Sequence, residues 1–121
     1  MEKLVKEIIE DALCRAEREV AEYGSFTFSE KKFDNPDKKL AANKFWLGIE
    51  QAPKGTENYQ TMRGLKLYAQ KKGATTEEGP AVEVLLKTGG KKDILNKIKE
   101  NDFAAELLKY MKELSDNLID L

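Results

Sequence analysis

The sequence contains no histidine. Histidine is the only side chain whose unperturbed pKa lies near neutral pH, and it is the commonest metal ligand. Its absence excludes Ser-His-Asp and Cys-His catalytic arrangements. Because Cys14 is the only cysteine, zinc sites built from cysteine and histidine are excluded as well. We therefore predict that the protein is not an enzyme and that it needs no metal or cofactor.

Cysteine and long apolar runs are both scarce, and these two features indicate the cellular compartment of the protein. A single cysteine cannot form an intramolecular disulfide, so a reducing compartment is favoured and we predict a cytoplasmic protein. No apolar run approaches the roughly 18 residues of a membrane span. The first residues carry acids within their apolar pattern, unlike a signal peptide. The length of 121 residues predicts one domain, residues 1–121.

Basic and acidic side chains are unevenly distributed, although the whole chain has a net charge of −1. Residues 1–24 carry four bases and seven acids, a net charge of −3, and residues 100–121 carry two bases and six acids, a net charge of −4. Residues 25–99 carry fifteen bases and nine acids, a net charge of +6. Either these oppositely charged segments pack near one another, or the basic segment offers a surface to an anionic partner.

Apolar residues recur with a helical period at both ends of the chain. Residues 2–22 follow the 3.6-residue period of an amphipathic helix, which Gly24 would end. Near the other end, residues 93–100 predict a short helix. The longest stripe of all runs from Phe103 to Leu121 and predicts a second, longer helix.

The middle of the chain shows the two-residue period of β-strands. Residues 63–70 and 81–87 both alternate between apolar and polar or small side chains. The loop between them, residues 71–80, has no apolar residue larger than alanine or proline, so we predict an antiparallel hairpin with an exposed, mobile tip.

Three further segments have weaker patterns. Residues 25–33 begin with alternation and predict a strand, and Asn35 is placed to cap a short helical turn over residues 36–43. Residues 44–51 predict a strand because they combine alternation with an aromatic pair and a glycine. The alternative is a helix that continues through residues 36–51.

Taken in order, these elements predict an α+β fold. An N-terminal helix is followed by a three- to four-stranded antiparallel meander, and two C-terminal helices pack on one sheet face. This order recurs in many unrelated small domains, so the fold alone does not identify a function. The residues that we expect to be almost fully buried are Ile8, Leu67, Val84, Leu107 and Leu114.

The second face of the predicted sheet is the leading candidate for a functional surface. If the helices cover one face, strand alternation sends a group of aromatic, aliphatic and basic side chains to the other. Such a mixture is typical of binding surfaces, so we predict binding to another protein or to a second copy of the chain, forming a homodimer. Alternatively, residues 34–43 and 52–60 fold over this face and bury it. The predicted interaction surface consists of Trp46, Lys66, Tyr68, Leu85 and Lys87.

The basic, aromatic-containing middle segment supports a second hypothesis, binding of nucleic acid or another anion. Lysines interleaved with aromatic residues can contact phosphates and stack on bases. However, the segment has no RNP-like motif and arginine is scarce.

A weaker candidate is an anion site at Gly89, Gly90, Lys91 and Lys92, where two glycines and two lysines precede a helix. Its spacing departs from that of a P-loop. A flexible joint between strand and helix would explain the two glycines without any ligand.

Overall fold

A computed structural model describes residues 1–21, 31–52, 54–55, 57–58, 60–75 and 78–121. Its architecture confirms the predicted α+β fold, with an N-terminal helix, an antiparallel sheet and two C-terminal helices. No helix in these ranges is long and apolar enough to cross a membrane. The elements are α1 (Glu2–Ala21), β1 (Phe33–Asp34), β2 (Lys44–Gln51), β3 (Arg63–Gln70), β4 (Ala81–Gly89), α2 (Lys91–Ile98) and α3 (Phe103–Leu118).

The four described strands form one antiparallel meander in the order β1-β2-β3-β4. β2 and β3 pair along their full length, and this register places Leu47 opposite Leu67 and Trp46 opposite Tyr68. The predicted hairpin is confirmed as β3 and β4. Residues 44–51 are a strand, so a helix through residues 36–51 is wrong. Backbone pairing of β2 on both sides holds this segment in an extended conformation.

The segment before β2 is a loop rather than the expected helical turn. Asn35 is buried and organises it, because its side-chain oxygen accepts the backbone N–H of Asp37 at 3.0 Å. Its amide nitrogen donates to the carbonyl of Ala42 at 2.8 Å. These bonds offer the backbone an alternative to helical hydrogen bonding. Of the predicted strand at residues 25–33, residues 25–30 lie outside the described residues, and Phe33 belongs to the short strand β1.

The inner face of the sheet meets all three described helices, and the hydrophobic core lies between the two layers. Strand alternation places Phe45, Leu47, Leu65 and Leu67 on this face, and all four are buried. Of the five expected core residues, Ile8, Leu67, Leu107 and Leu114 are buried.

Val84 corrects the remaining expectation, because it is only half-buried. It lies on β4, which is the last strand of the sheet among the described residues, so a neighbouring described strand lies on one side of it. The sequence pattern identified the correct face of the strand. It could not show that the strand would lie at the edge.

A β-bulge changes the alternation of β4. Lys66 pairs with Leu85 and Leu65 pairs with Lys87, so Leu86 is an extra residue between them. After this insertion Thr88, rather than Lys87, lies opposite Gly64. Simple alternation predicted Lys87 on the outer face beside Leu85. The bulge corrects that placement, and Lys87 is exposed near the strand edge.

Backbone hydrogen bonds hold the base of the loop between β3 and β4, which the sequence predicts to be mobile. The backbone N–H of Lys71 donates to the carbonyl of Pro80 at 3.1 Å, and Gly79 donates back to Lys71 at 3.0 Å. A Cβ at position 79 would lie 2.6 Å from the Lys71 carbonyl oxygen, so this close approach requires glycine. Beyond the base, Lys72, Ala74, Thr75 and Glu78 are exposed as expected.

Candidate functional site

The outer face of the sheet carries an aromatic stack on its two central strands. Trp46 on β2 and Tyr68 on β3 are directly opposite in the register. Their rings are parallel within 2°, with centroids 5.1 Å apart. The two residues therefore share a face, as the alternation predicts. Trp46 is nevertheless only 6% exposed, so the expectation that it forms part of an open patch is wrong.

Lys32 also contacts this stack, from the segment that leads into β1. Its ammonium lies 4.6 Å from the Trp46 ring centroid, within the range of a cation–π interaction. The same ammonium lies 3.3 Å from Gln70 Oε1 and 3.1 Å from Glu78 Oε1. Lys32 therefore connects the segment before β1 with Trp46 on the outer face, with the end of β3 and with the loop that follows β3. The sequence offered residues 34–43 and 52–60 as segments that could cover this face. The cation–π contact with Trp46 comes instead from Lys32, which precedes them.

A second group of polar contacts lies next to the stack. The ammonium of Lys66 lies 3.1 Å from Glu50 and 3.3 Å from Glu83, so it bridges carboxylates on the strands to either side. The hydroxyl of Tyr68 donates to Glu50 Oε1 at 2.8 Å. Burial acts to lower the pKa of Lys66, but its hydrogen bonds to the two carboxylates outweigh that effect and raise the pKa. Burial and the bond to Glu50 together raise the pKa of Tyr68.

Beyond these contacts, the β4 side of the outer face is open. Leu85 is 54% exposed, and among the described strands it is the exposed large hydrophobic side chain. Its side chain lies over Gly64, where an added Cβ would be 3.5 Å from Leu85 Cδ1. A groove of about 520 Å³ runs beside it. The groove is lined by Glu50, Gln51, Gly64, Lys66, Glu83, Leu85 and Thr88.

The predicted interaction residues therefore fall into three environments. Trp46 and Tyr68 form the covered stack, while Lys66 and Leu85 border the open groove. Lys87 is exposed near the edge of β4, displaced from the group by the bulge. Sequence reasoning missed the roles of Glu50 and Glu83. Strand alternation could have placed both on the outer face, because Glu50 lies an even number of residues from Trp46 and Glu83 an even number from Leu85.

The proposed anion residues lie at the start of α2, but acidic side chains already occupy their surroundings. The backbone N–H of Gly90 donates to Asp93 Oδ2 at 3.0 Å, a capping interaction at the helix N-terminus. The ammonium of Lys91 lies 3.8 Å from Glu19 on α1. Gly89 is buried and closely approached by Asp93, while Lys92 is exposed. Both carboxylates would compete with a bound anion. The three-residue spacing from Gly90 to Asp93 was a readable signal for this cap.

Other chemistry has little support in the described part of the chain. No group of three or more histidine, cysteine, aspartate or glutamate side chains there is placed to hold a metal ion. Cys14 is exposed on α1, and Glu50 and Glu83 on the outer face both contact Lys66. Comparison of the chain with protein-family models, curated proteins and solved structures found no match.

Proposed function

We propose that this chain is a non-catalytic protein-binding domain that binds through the β4 surface, defined as Gly64, Lys66, Glu83, Leu85 and Thr88. The observation that carries the proposal is the exposure of Leu85 beside an open groove with a charged border. An apolar side chain in the centre of a polar rim is the usual composition of a protein interface. Removing the exposed half of this leucine from water would favour association by about 1 kcal/mol.

The β4 surface is a better candidate than the β2 half of the same face. On β2, the large apolar side chain is Trp46, and its ring is already covered by its own chain. A residue that is buried within the monomer gains little further burial from a partner. Leu85 still has most of its surface to lose, so it is the residue with which a partner would gain the most.

The nucleic-acid hypothesis has weaker support. Stacking on bases needs accessible aromatic faces, whereas the Trp46 ring is stacked against Tyr68 and contacted by Lys32. Beside the stack, the Lys66 ammonium is already bridged to two carboxylates, which would compete with a phosphate at this place. A protein partner could bind the exposed Leu85 without opening the aromatic stack or the Lys66 ion pairs. We propose a reducing, cytoplasmic setting for this binding, since the lone cysteine is free.

Site-specific photo-crosslinking tests the proposal. A photoreactive amino acid at position 85 should give a defined crosslinked product in cells. The matched control is the same amino acid at position 119, because Ile119 is also an exposed large hydrophobic residue but lies beyond α3. The crosslinked protein, identified by mass spectrometry and purified, should bind the wild type at least about tenfold more tightly than the Leu85→Ser variant.

Two outcomes would contradict this function. One is a set of products that is the same from positions 85 and 119. The other is a purified partner, or a second copy of the chain, whose affinity is unchanged by Leu85→Ser. Thermal unfolding of the variant shows whether a loss of binding comes from a loss of folding.

A further inference from the structure

The side chain of Lys32 crosses the outer face of the sheet over β2. Lys32 comes directly before β1, and extending the register of β1 with β2 by one residue places it beside Trp46. Its ammonium nevertheless donates to Gln70 Oε1 on β3 at 3.3 Å. Because β2 lies between β1 and β3, the side chain of Lys32 passes across the outer face of β2 to reach this acceptor. On this path its ammonium lies 4.6 Å from the Trp46 ring centroid.

Two oxygen acceptors beyond β2 hold the ammonium of Lys32. One is the buried Gln70, whose Nε2 also donates to the carbonyl of Gly79 at 3.0 Å at the base of the following loop. The other is Glu78, whose Oε1 lies 3.1 Å from the ammonium and whose side chain is 68% exposed. The lysine therefore ends on one fixed acceptor and one carboxylate that is largely in water.

The contacts of Lys32 are of a kind that opens easily. An ion pair with an exposed carboxylate is weak, because water screens the charges and the long lysine side chain loses rotamer freedom when it is held. A cation–π interaction at a partly exposed site is also weak. Added salt weakens the ion pair further. The side chain of Lys32 can therefore leave the face of β2 without disturbing the core beneath.

We propose that Lys32 is a releasable strap that covers the Trp46–Tyr68 stack and opens when salt or a competing anion screens its charge. With the strap closed, the Trp46 ring is buried between its neighbours on the outer face. With the strap open, the indole surface beneath the ammonium becomes accessible. This device lies on the β2 half of the outer face and goes beyond the β4 surface, so it holds whether or not Leu85 binds a protein.

The adjacent lysine provides a contrast. The ammonium of Lys31 lies 5.0 Å from the ring centroid of Phe33, so it contacts a different aromatic ring. Phe33 pairs with Phe45, which belongs to the inner face. Removing the charge of Lys31 should therefore leave the Trp46 stack covered. The two lysines separate the effect of position from the effect of charge.

Acrylamide quenching of tryptophan fluorescence tests the strap, because Trp46 is the only tryptophan in the chain. Acrylamide is uncharged, so salt does not alter its approach to the indole. In the wild type, the quenching constant should rise with ionic strength. Lys32→Met should raise that constant at least about twofold at low salt and abolish its salt dependence, because it removes the charge that salt screens. The control Lys31→Met should leave the quenching of Trp46 unchanged.

Two further variants sharpen the test. Lys32→Arg keeps a cation that can lie over an aromatic ring, so it should keep Trp46 covered at low salt. Glu78→Gln removes the ion pair but leaves the contact with Gln70. It should therefore raise the quenching constant less than Lys32→Met does.

Three results would overturn the inference. They are a wild type with equal quenching at low and high salt, a folded Lys32→Met variant that is quenched no more than the wild type, and a Lys31→Met variant that is quenched as much as Lys32→Met. Circular dichroism at each salt concentration shows whether the proteins are folded. If Lys32→Met does not fold, the salt series of the wild type and of Lys32→Arg decide the question, since salt should uncover Trp46 in both.

Discussion

The two faces of the sheet bury side chains by different means. On the inner face, Leu47 and Leu67 pack beneath the helices in a continuous apolar core. On the outer face, Trp46 is buried outside that core, with Tyr68 stacked on its ring and a lysine over it. The difference shows that a side chain can be buried on a polar face through aromatic and charged neighbours. Exposure begins further along the same face, at Leu85.

The largest expected effect tests whether the Trp46 site is a true second core. Trp46→Ala should lower the free energy of unfolding by about 3–5 kcal/mol, because it removes a buried indole and leaves a cavity. The adjacent residue Leu47 faces the inner side and provides the matched comparison. Leu47→Ala should cost about 2–5 kcal/mol. Urea unfolding of both variants measures the two costs.

The two unfolding free energies show whether the outer face of β2 stabilises the fold as much as the inner face does. Comparable losses would show that both sides of β2 contribute to stability. A loss below about 0.5 kcal/mol for Trp46→Ala, the usual range for surface substitutions, would mean that the outer stack is peripheral.

A smaller effect concerns the Tyr68–Glu50 hydrogen bond. Tyr68→Phe should cost about 1 kcal/mol at neutral pH, because it removes one of the two groups that contact Glu50 Oε1 and leaves only the Lys66 ammonium there. The pH dependence gives a sharper test. Because folding raises the pKa of Tyr68, its stabilising contribution is present below the ordinary value of 10.0 and is lost as pH rises above it.

Two measurements test this expected loss of stability at high pH. The wild type should lose stability above pH 10 more steeply than Tyr68→Phe does, as measured by urea unfolding at neutral and alkaline pH. In a tyrosinate absorbance titration of the folded protein, the wild type should show a late step above pH 10.0 from Tyr68, whose pKa is raised. That late step should vanish in Tyr68→Phe. Parallel pH profiles for the two proteins would contradict the buried hydrogen bond.

The smallest expected effect lies at the open end of the outer face. Leu85→Ser should change the free energy of unfolding of the monomer by less than about 0.5 kcal/mol, because the side chain is largely in water already. Urea unfolding at low protein concentration, where any dimer has dissociated, measures this value. A loss above about 1.5 kcal/mol would place Leu85 in the core of the monomer and remove it as a contact residue.

Much of the fold could be predicted from the sequence because its signals are local. Side chains alternate along any strand with a period of two, so the order of residues assigned Trp46 and Tyr68 to one face and Leu47 and Leu67 to the other. Helical periodicity likewise identified the buried stripes of α1 and α3. The two-residue rule failed at Lys87, because a bulge arises from how two strands pair and one strand's sequence does not determine it.

The sequence by itself determined the α+β order of elements, the faces of β2 and β3, and the exclusion of histidine chemistry. Only the tertiary structure decided how deeply each face is buried. Burial depends on which distant segments lie across a residue, as Lys32 does at Trp46, and on whether a strand is central or at an edge, as for Val84. It likewise decided that Leu85 is the large apolar side chain left exposed on the described strands. These are properties of long-range contacts, which no local periodicity encodes.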